Sequence, residues 1–283
     1  MNIAEVQTLP KKFFAPPLRI RASVLVLLSV FLLQAFGRLA FIAFAPAGNS
    51  PLILNDVNGF LYAFSVGAVF LFLRKKGFTL FAKGSFSPVN VLYFIPLFAL
   101  ACGLCILLSE SDNFIRAFFS GPDIFYEDPL LHKPTFAGTL VTCASFGIVT
   151  PVMMELLFRG VMLQNFLQRH TRTESVISCA FLFAAFYANP YQCLTPFIVG
   201  IFLCIIYLQT MSLIPCIVFH SVFNLFPIVL LQGMNVRIDG FTVTGKSLHQ
   251  PLALTAAGGV FVFFALCGLY LYGRIHKERK DAE

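Results

Sequence analysis

The chain has 283 residues, 58% of them hydrophobic and 12% charged, about half the charged share of an ordinary soluble domain. A soluble fold of this size has too little interior to hide so much apolar surface, so composition excludes a soluble globular domain and points to an all-α, polytopic membrane protein. The formal charge is +7, but the basic residues sit in short flanks beside apolar runs and form no single patch, so no nucleic-acid partner is called for.

A helix needs about 20 mostly apolar residues to cross roughly 30 Å of hydrocarbon, and eight stretches of that kind can be marked in order. A basic arm, 1–21, carries Lys11, Lys12, Arg19 and Arg21 and precedes the first run, 22–45. That run is longer than the apolar region of a cleaved signal peptide and lacks its small-residue site, so it reads as a retained anchor. The second run, 57–73, is followed by Arg74, Lys75, Lys76 and Lys83. The third, 89–109, leads into an acidic stretch with Glu110, Asp112, Asp123, Glu127 and Asp128 against Arg116 and Lys133. Residues 112–133 read equally as an outer loop or a short interfacial helix. The fourth run, 136–168, is long and contains Pro151, which predicts a kink or an interfacial extension. Arg169, His170 and Arg172 separate it from the fifth run, 174–188. The sixth, seventh and eighth cover 194–209, 213–232 and 252–273, and a tail at 274–283 adds Arg274, Lys277, Arg279 and Lys280. The second, fifth and sixth runs are short enough to tilt little or be partly re-entrant.

The runs are continuous, where barrel strands would alternate over about ten residues. Basic and non-basic loops alternate as eight spans with both termini in the cytosol require. No internal repeat or long linker divides the chain, so 22–273 reads as one transmembrane domain between a cytosolic arm and a cytosolic tail. The absence of repeated halves with interrupted helices speaks against a transporter. Short loops and no targeting segment lean toward a bacterial inner membrane. Most of the eight cysteines lie inside apolar runs and read as small buried residues; Cys102 and Cys105 make a C-x-x-C without a second pair at zinc-site spacing.

Ionisable groups inside membrane spans are costly and mark functional candidates. They cluster here. Glu155 and Arg159, four apart in the fourth run, share one helix face, either as a structural ion pair or with Arg159 orienting the carboxylate. His220 and Asn224, also four apart, lie in the seventh run. An imidazole and an amide oxygen four apart can converge on a divalent metal or make interhelical hydrogen bonds. Arg38 is the other intramembrane charge.

These residues resemble the three motifs of the CPBP membrane proteases, which include the type II CAAX prenyl endopeptidases and bacteriocin-immunity proteins: E-E-x-x-x-R, F-x-x-x-H and H-x-x-x-N. The first appears as Met154-Glu155-Leu156-Leu157-Phe158-Arg159, followed by Gly160, and the third is intact from His220 to Asn224. Gly200, Tyr207, Thr210, Ser212 and Leu213 fall where the family tends to place such residues. The likeness spans about 136–232. Two positions depart from it: Met154 stands where the first glutamate belongs, and Tyr187, four after Phe183, where the second-motif histidine belongs.

The resemblance implies an intramembrane metalloendopeptidase of the CAAX type that hydrolyses peptide or membrane-protein substrates delivered in lipid. The implied cofactor is a divalent metal such as zinc, held by Glu155, His220 and Asn224. The implied catalytic set is Glu155 as base, Arg159 to position it, Tyr187 as donor to the oxyanion, and His220 and Asn224 to bind metal or orient water. Methionine accepts no proton at neutral pH and protonated tyrosine is a poor metal ligand. A non-catalytic relative that binds membrane segments or lipidated peptides therefore stands beside the peptidase reading.

Overall fold

Each of the eight apolar runs becomes a helix. The computed structural model describes residues 20–44, 51–77, 80–81, 84–118, 135–187, 193–243 and 249–282, with 51–58 and 275–282 described by helical path alone. Residues 112–118 continue α3 as helix, while most of the basic arm and residues 119–134 lie outside the described residues, and with them the rest of the choice between an outer loop and an interfacial helix. The helices are α1 (Ile20–Phe44), α2 (Pro51–Lys75), α3 (Phe94–Phe118), α4 (Phe136–Leu167), α5 (Arg172–Phe186), α6 (Leu194–Thr210), α7 (Leu213–Gly233) and α8 (Leu252–Ala282). No strand occurs among the described residues. The tail expected from residue 274 continues α8 as helix through Ala282.

Among the described residues, five helices are long and apolar enough to cross a membrane: α1, α3 with the 3-10 turn that precedes it, α4, α7 and α8 as far as Arg274. The other three match the short runs. α5 and α6 have 15 and 17 residues, below the length of an untilted span. Of α2 only the side chains from Gly59 onward are described. On α1 and α8, large apolar side chains such as Phe36, Leu39, Phe263 and Phe264 are exposed. Helices that are apolar all round and still exposed have lipid as their solvent, and the chain is an integral membrane protein.

Local chemistry sets the boundaries that matter for the site. α5 starts on a capping box: Thr171 Oγ1 accepts from Glu174 N at 3.3 Å, and Thr171 N donates to Glu174 Oε2 at 3.0 Å. α4 is not a plain α-helix. It widens to π geometry at Cys143–Val149 and again at Leu156–Leu163. Pro151 has no N–H, and its ring presses on the carbonyl four residues back, at Gly147, inside the first widened turn. The disturbance expected around Pro151 therefore takes the form of a wider helix. π-turns of this kind recur at functional sites.

α3 packs most extensively on α8, then on α7. Its closest approach to α8 is glycine on glycine. A Cβ at Gly103 would fall 2.9 Å from the Gly258 carbonyl oxygen, and one at Gly258 would fall 2.8 Å from Ile106 Cγ2. Small residues let backbones meet in lipid, where association rests on packing and not on water exclusion. α5 packs on α6, and α2 on the middle of α4, which leaves the second half of α4 ringed by α2, α5, α6 and α7.

Candidate functional site

The centre of this ring is a buried ion pair. Glu155 ends the middle α-helical part of α4, and Arg159 lies in the widened turn after it; both side chains are 0% exposed. Arg159 Nη1 donates to Glu155 Oε1 at 3.2 Å, and Nη2 donates to the Gly200 carbonyl at 2.8 Å. The guanidinium carbon stands 4.6 Å from the centroid of the Phe183 ring, a cation–π contact that gains strength away from water. Gly200 makes this reach possible, because a Cβ there would sit 3.1 Å from Ala180 Cα and hold α6 away from α5.

His220 arrives from α7. The turn between α6 and α7 is tight: Met211 takes a left-handed conformation with φ 52°, and Ser212 Oγ accepts from Ile214 N at 3.3 Å while donating to the Ser87 carbonyl at 2.8 Å. Leu213 N donates to the Ser85 carbonyl at 2.7 Å. With α7 pinned at its start, His220 lies two turns along it, 1% exposed, with Nδ1 2.8 Å from Glu155 Oε1. One carboxylate oxygen thus serves both Arg159 and His220. Buried thiols fill the space around them: Cys179 Sγ donates to the Phe158 carbonyl and Cys216 Sγ to the Leu203 carbonyl.

Phe183, the matching residue of the second motif, is the hub. Its ring meets Phe158 at 5.1 Å, Tyr187 at 5.5 Å and His220 at 5.7 Å, centroid to centroid, besides Arg159. Tyr187 follows the last residue of α5 and is 44% exposed. Its hydroxyl points at Met154 Sδ, 3.8 Å away, so the two positions that depart from the family pattern touch each other. Asn224 is the residue not drawn in. Its Nδ2 donates to the Phe146 carbonyl at 3.0 Å, in the first widened turn of α4, and not to the Glu155–His220 pair. Arg38 is exposed on α1 and takes no part.

Three buried polar atoms here have no hydrogen-bond partner among the described residues: Glu155 Oε2, Arg159 Nε and the Tyr62 hydroxyl. Sequence reasoning missed Tyr62. It sits in α2, 93 positions before Glu155, among apolar residues that give it no distinguishing pattern.

A catalytic zinc needs at least three protein ligands and an open position. Among the described residues, no group of three or more His, Cys, Asp or Glu stands close enough to hold a metal. Glu155 Oε1 is engaged by a guanidinium and an imidazole nitrogen, and the Asn224 amide is turned to a backbone carbonyl. The donor set Glu155, His220 and Asn224 does not fit a zinc site in this geometry.

Residues 136–226 match the family model described as Type II CAAX prenyl endopeptidase Rce1-like. This stretch is similar to that family. Comparison with curated proteins and with solved structures finds no match. The matched stretch covers α4, α5, α6 and most of α7, and Glu155, Arg159, Phe183, Tyr187, His220 and Asn224 all lie within it. α2, which packs against it, lies outside the matched residues.

Proposed function

We propose that the protein is an intramembrane endopeptidase of the CAAX type that activates water with Glu155. The observation that carries this reading is the division of labour on one buried carboxylate: Oε1 is fixed by Arg159 and His220, and Oε2 is free. A general base must be held in place and still keep an atom for the proton it takes. In the proposed step a water gives its proton to Glu155 Oε2 as its oxygen bonds to the scissile carbonyl carbon. The resulting oxyanion accepts a hydrogen bond from the Tyr187 hydroxyl, which leaves Met154 for it. The C–N bond then breaks, and the leaving amine takes the proton back from Glu155. Arg159 holds the carboxylate, and His220 keeps its remaining ring nitrogen, Nε2, for hydrogen bonding to substrate.

The substrate class follows the family description: peptides ending in a prenylated CAAX sequence, presented from the bilayer. The same reading takes all eight helices as spans of one domain, with both termini cytosolic in a bacterial inner membrane. Arg21, the Arg74–Lys76 cluster, Arg169 with Arg172, and Arg274 then fall on one side.

The test is cleavage of a farnesylated CAAX peptide by protein in nanodiscs, followed by mass spectrometry. Wild type should release the C-terminal tripeptide and Glu155→Gln should release it at least about a hundredfold more slowly. A folded wild type that leaves the peptide intact sinks the peptidase reading. A second reading, a non-catalytic binder of lipidated peptides, is favoured by the contact between Met154 and Tyr187. It requires that the same peptide be retained by the nanodiscs uncut.

A further inference from the structure

Beyond the motif residues, one more side chain meets the chemistry of the site. Tyr62 is 2% exposed and its hydroxyl has no hydrogen-bond partner among the described residues. Buried polar groups in proteins are nearly always paired, and in a bilayer no bulk solvent stands in reserve. Its place is fixed by packing. One turn earlier in α2, Gly59 lies against Ser145 in the first widened turn of α4. The Tyr62 ring sits 5.3 Å from Phe186, which is 6.0 Å from Phe158. α2 runs along the part of α4 that ends at Glu155, and Tyr62 lies within electrostatic reach of Glu155, Arg159 and Tyr187. Two buried atoms of one small region are therefore unpaired: a hydroxyl that donates, and a carboxylate oxygen that accepts.

We propose that Tyr62 is a positioning residue that holds the reactant water against Glu155 Oε2. Water accepts a hydrogen bond from the Tyr62 hydroxyl and donates one to Oε2. In that pose its oxygen is fixed and its proton already points along the path of transfer. The tyrosine keeps its own proton throughout. The proposal rests on the reading of Glu155 as base, and it places a required part of the site on α2, outside the matched stretch.

Tyr62→Phe removes the hydroxyl and keeps the ring. In a working peptidase, kcat for the farnesylated peptide should fall at least tenfold with KM within twofold of wild type. The second measurement needs no turnover. Infrared spectra of the purified protein contain a Glu155 carboxylate band, assigned by its loss in Glu155→Gln. A donor reaching Oε2 through water makes that band move in Tyr62→Phe, while Phe64→Leu, on the exposed side of the same helix, leaves it in place. A moved band with lowered kcat supports the proposal. A moved band in a wild type that cleaves nothing supports the Tyr62 contact and overturns the peptidase reading alone. An unmoved band overturns the proposal even if kcat falls, because the loss of rate is then structural.

Discussion

A double-mutant cycle on Glu155 and Arg159 separates their structural role from the chemical one. Both side chains are fully buried and joined at 3.2 Å. Removing one partner of such a pair leaves a charge with no counterpart and costs about 3–5 kcal/mol. Arg159→Met should therefore lower stability by that amount, and Glu155→Gln by a similar one. At roughly 2–4 °C per kcal/mol for domains somewhat smaller than this chain, each single variant should melt about 6–20 °C lower. Combining them removes both charges, and a buried pair replaced by neutral groups of similar volume is often close to neutral. The double variant should thus recover most of the loss, with a coupling of at least ~2 kcal/mol, where neighbours in contact commonly show 0.5–3. The assay is detergent-titrated unfolding in mixed micelles, followed by far-ultraviolet circular dichroism, beside peptide cleavage by the same samples. Stability should return in the double variant and cleavage should not, because the base is still missing. Additive losses would refute the ion-pair account of how Arg159 is held, and cleavage by the double variant within about tenfold of wild type would refute Glu155 as base.

Glu155→Gln alone should slow cleavage of a farnesylated peptide by about 10²–10⁴, the usual worth of a positioned general base, measured by mass spectrometry over long incubations. Gly200→Val should lower the melting temperature and weaken cleavage together, since its Cβ would meet Ala180 Cα at 3.1 Å and push away the carbonyl that holds Arg159; overpacking of this kind costs about 1–3 kcal/mol. Thr171→Ala should cost about 1 kcal/mol through loss of the α5 cap, read as a melting shift with little change in kcat. Met154→Glu combined with Tyr187→His adds a carboxylate and an imidazole beside Glu155 and His220, and should confer zinc binding near one ion per chain by elemental analysis of the purified protein.

The fold was legible because lipid imposes a simple rule. Each run of apolar residues became a helix, since a backbone in hydrocarbon must satisfy its own hydrogen bonds. Which helices cross was less legible: α5 and α6 are short, and their length alone does not decide how they are seated. The ion pair could be read from the i,i+4 spacing of Glu155 and Arg159. The bond between His220 and Glu155 joins residues 65 apart, and only the motif resemblance put them in one place. The same spacing argument drew Asn224 toward His220, but the widened turn at 143–149 offers the Phe146 carbonyl to its amide instead. Tyr62 left no signal at all, because one tyrosine among the apolar residues of α2 is indistinguishable from packing until α2 is laid against α4.

The contact between Met154 and Tyr187 ties the two departures into one change. A glutamate at 154 would bring a second carboxylate next to Glu155, two acids side by side in a medium that stabilises charge poorly. A histidine at 187, reaching where the tyrosine hydroxyl now lies, could answer that charge. A glutamate at the buried position 154 without that histidine would be unmatched, at a cost of several kcal/mol for an uncompensated ion. Losing both leaves a thioether and a phenol, which are neutral and tolerate each other. The remaining charge then balances between Glu155 and Arg159, with His220 as hydrogen-bond partner. Stability therefore disfavours a glutamate at 154 once the histidine is absent, whatever the activity. Their joint presence describes how the site stays folded, and the peptidase reading rests on the free oxygen of Glu155.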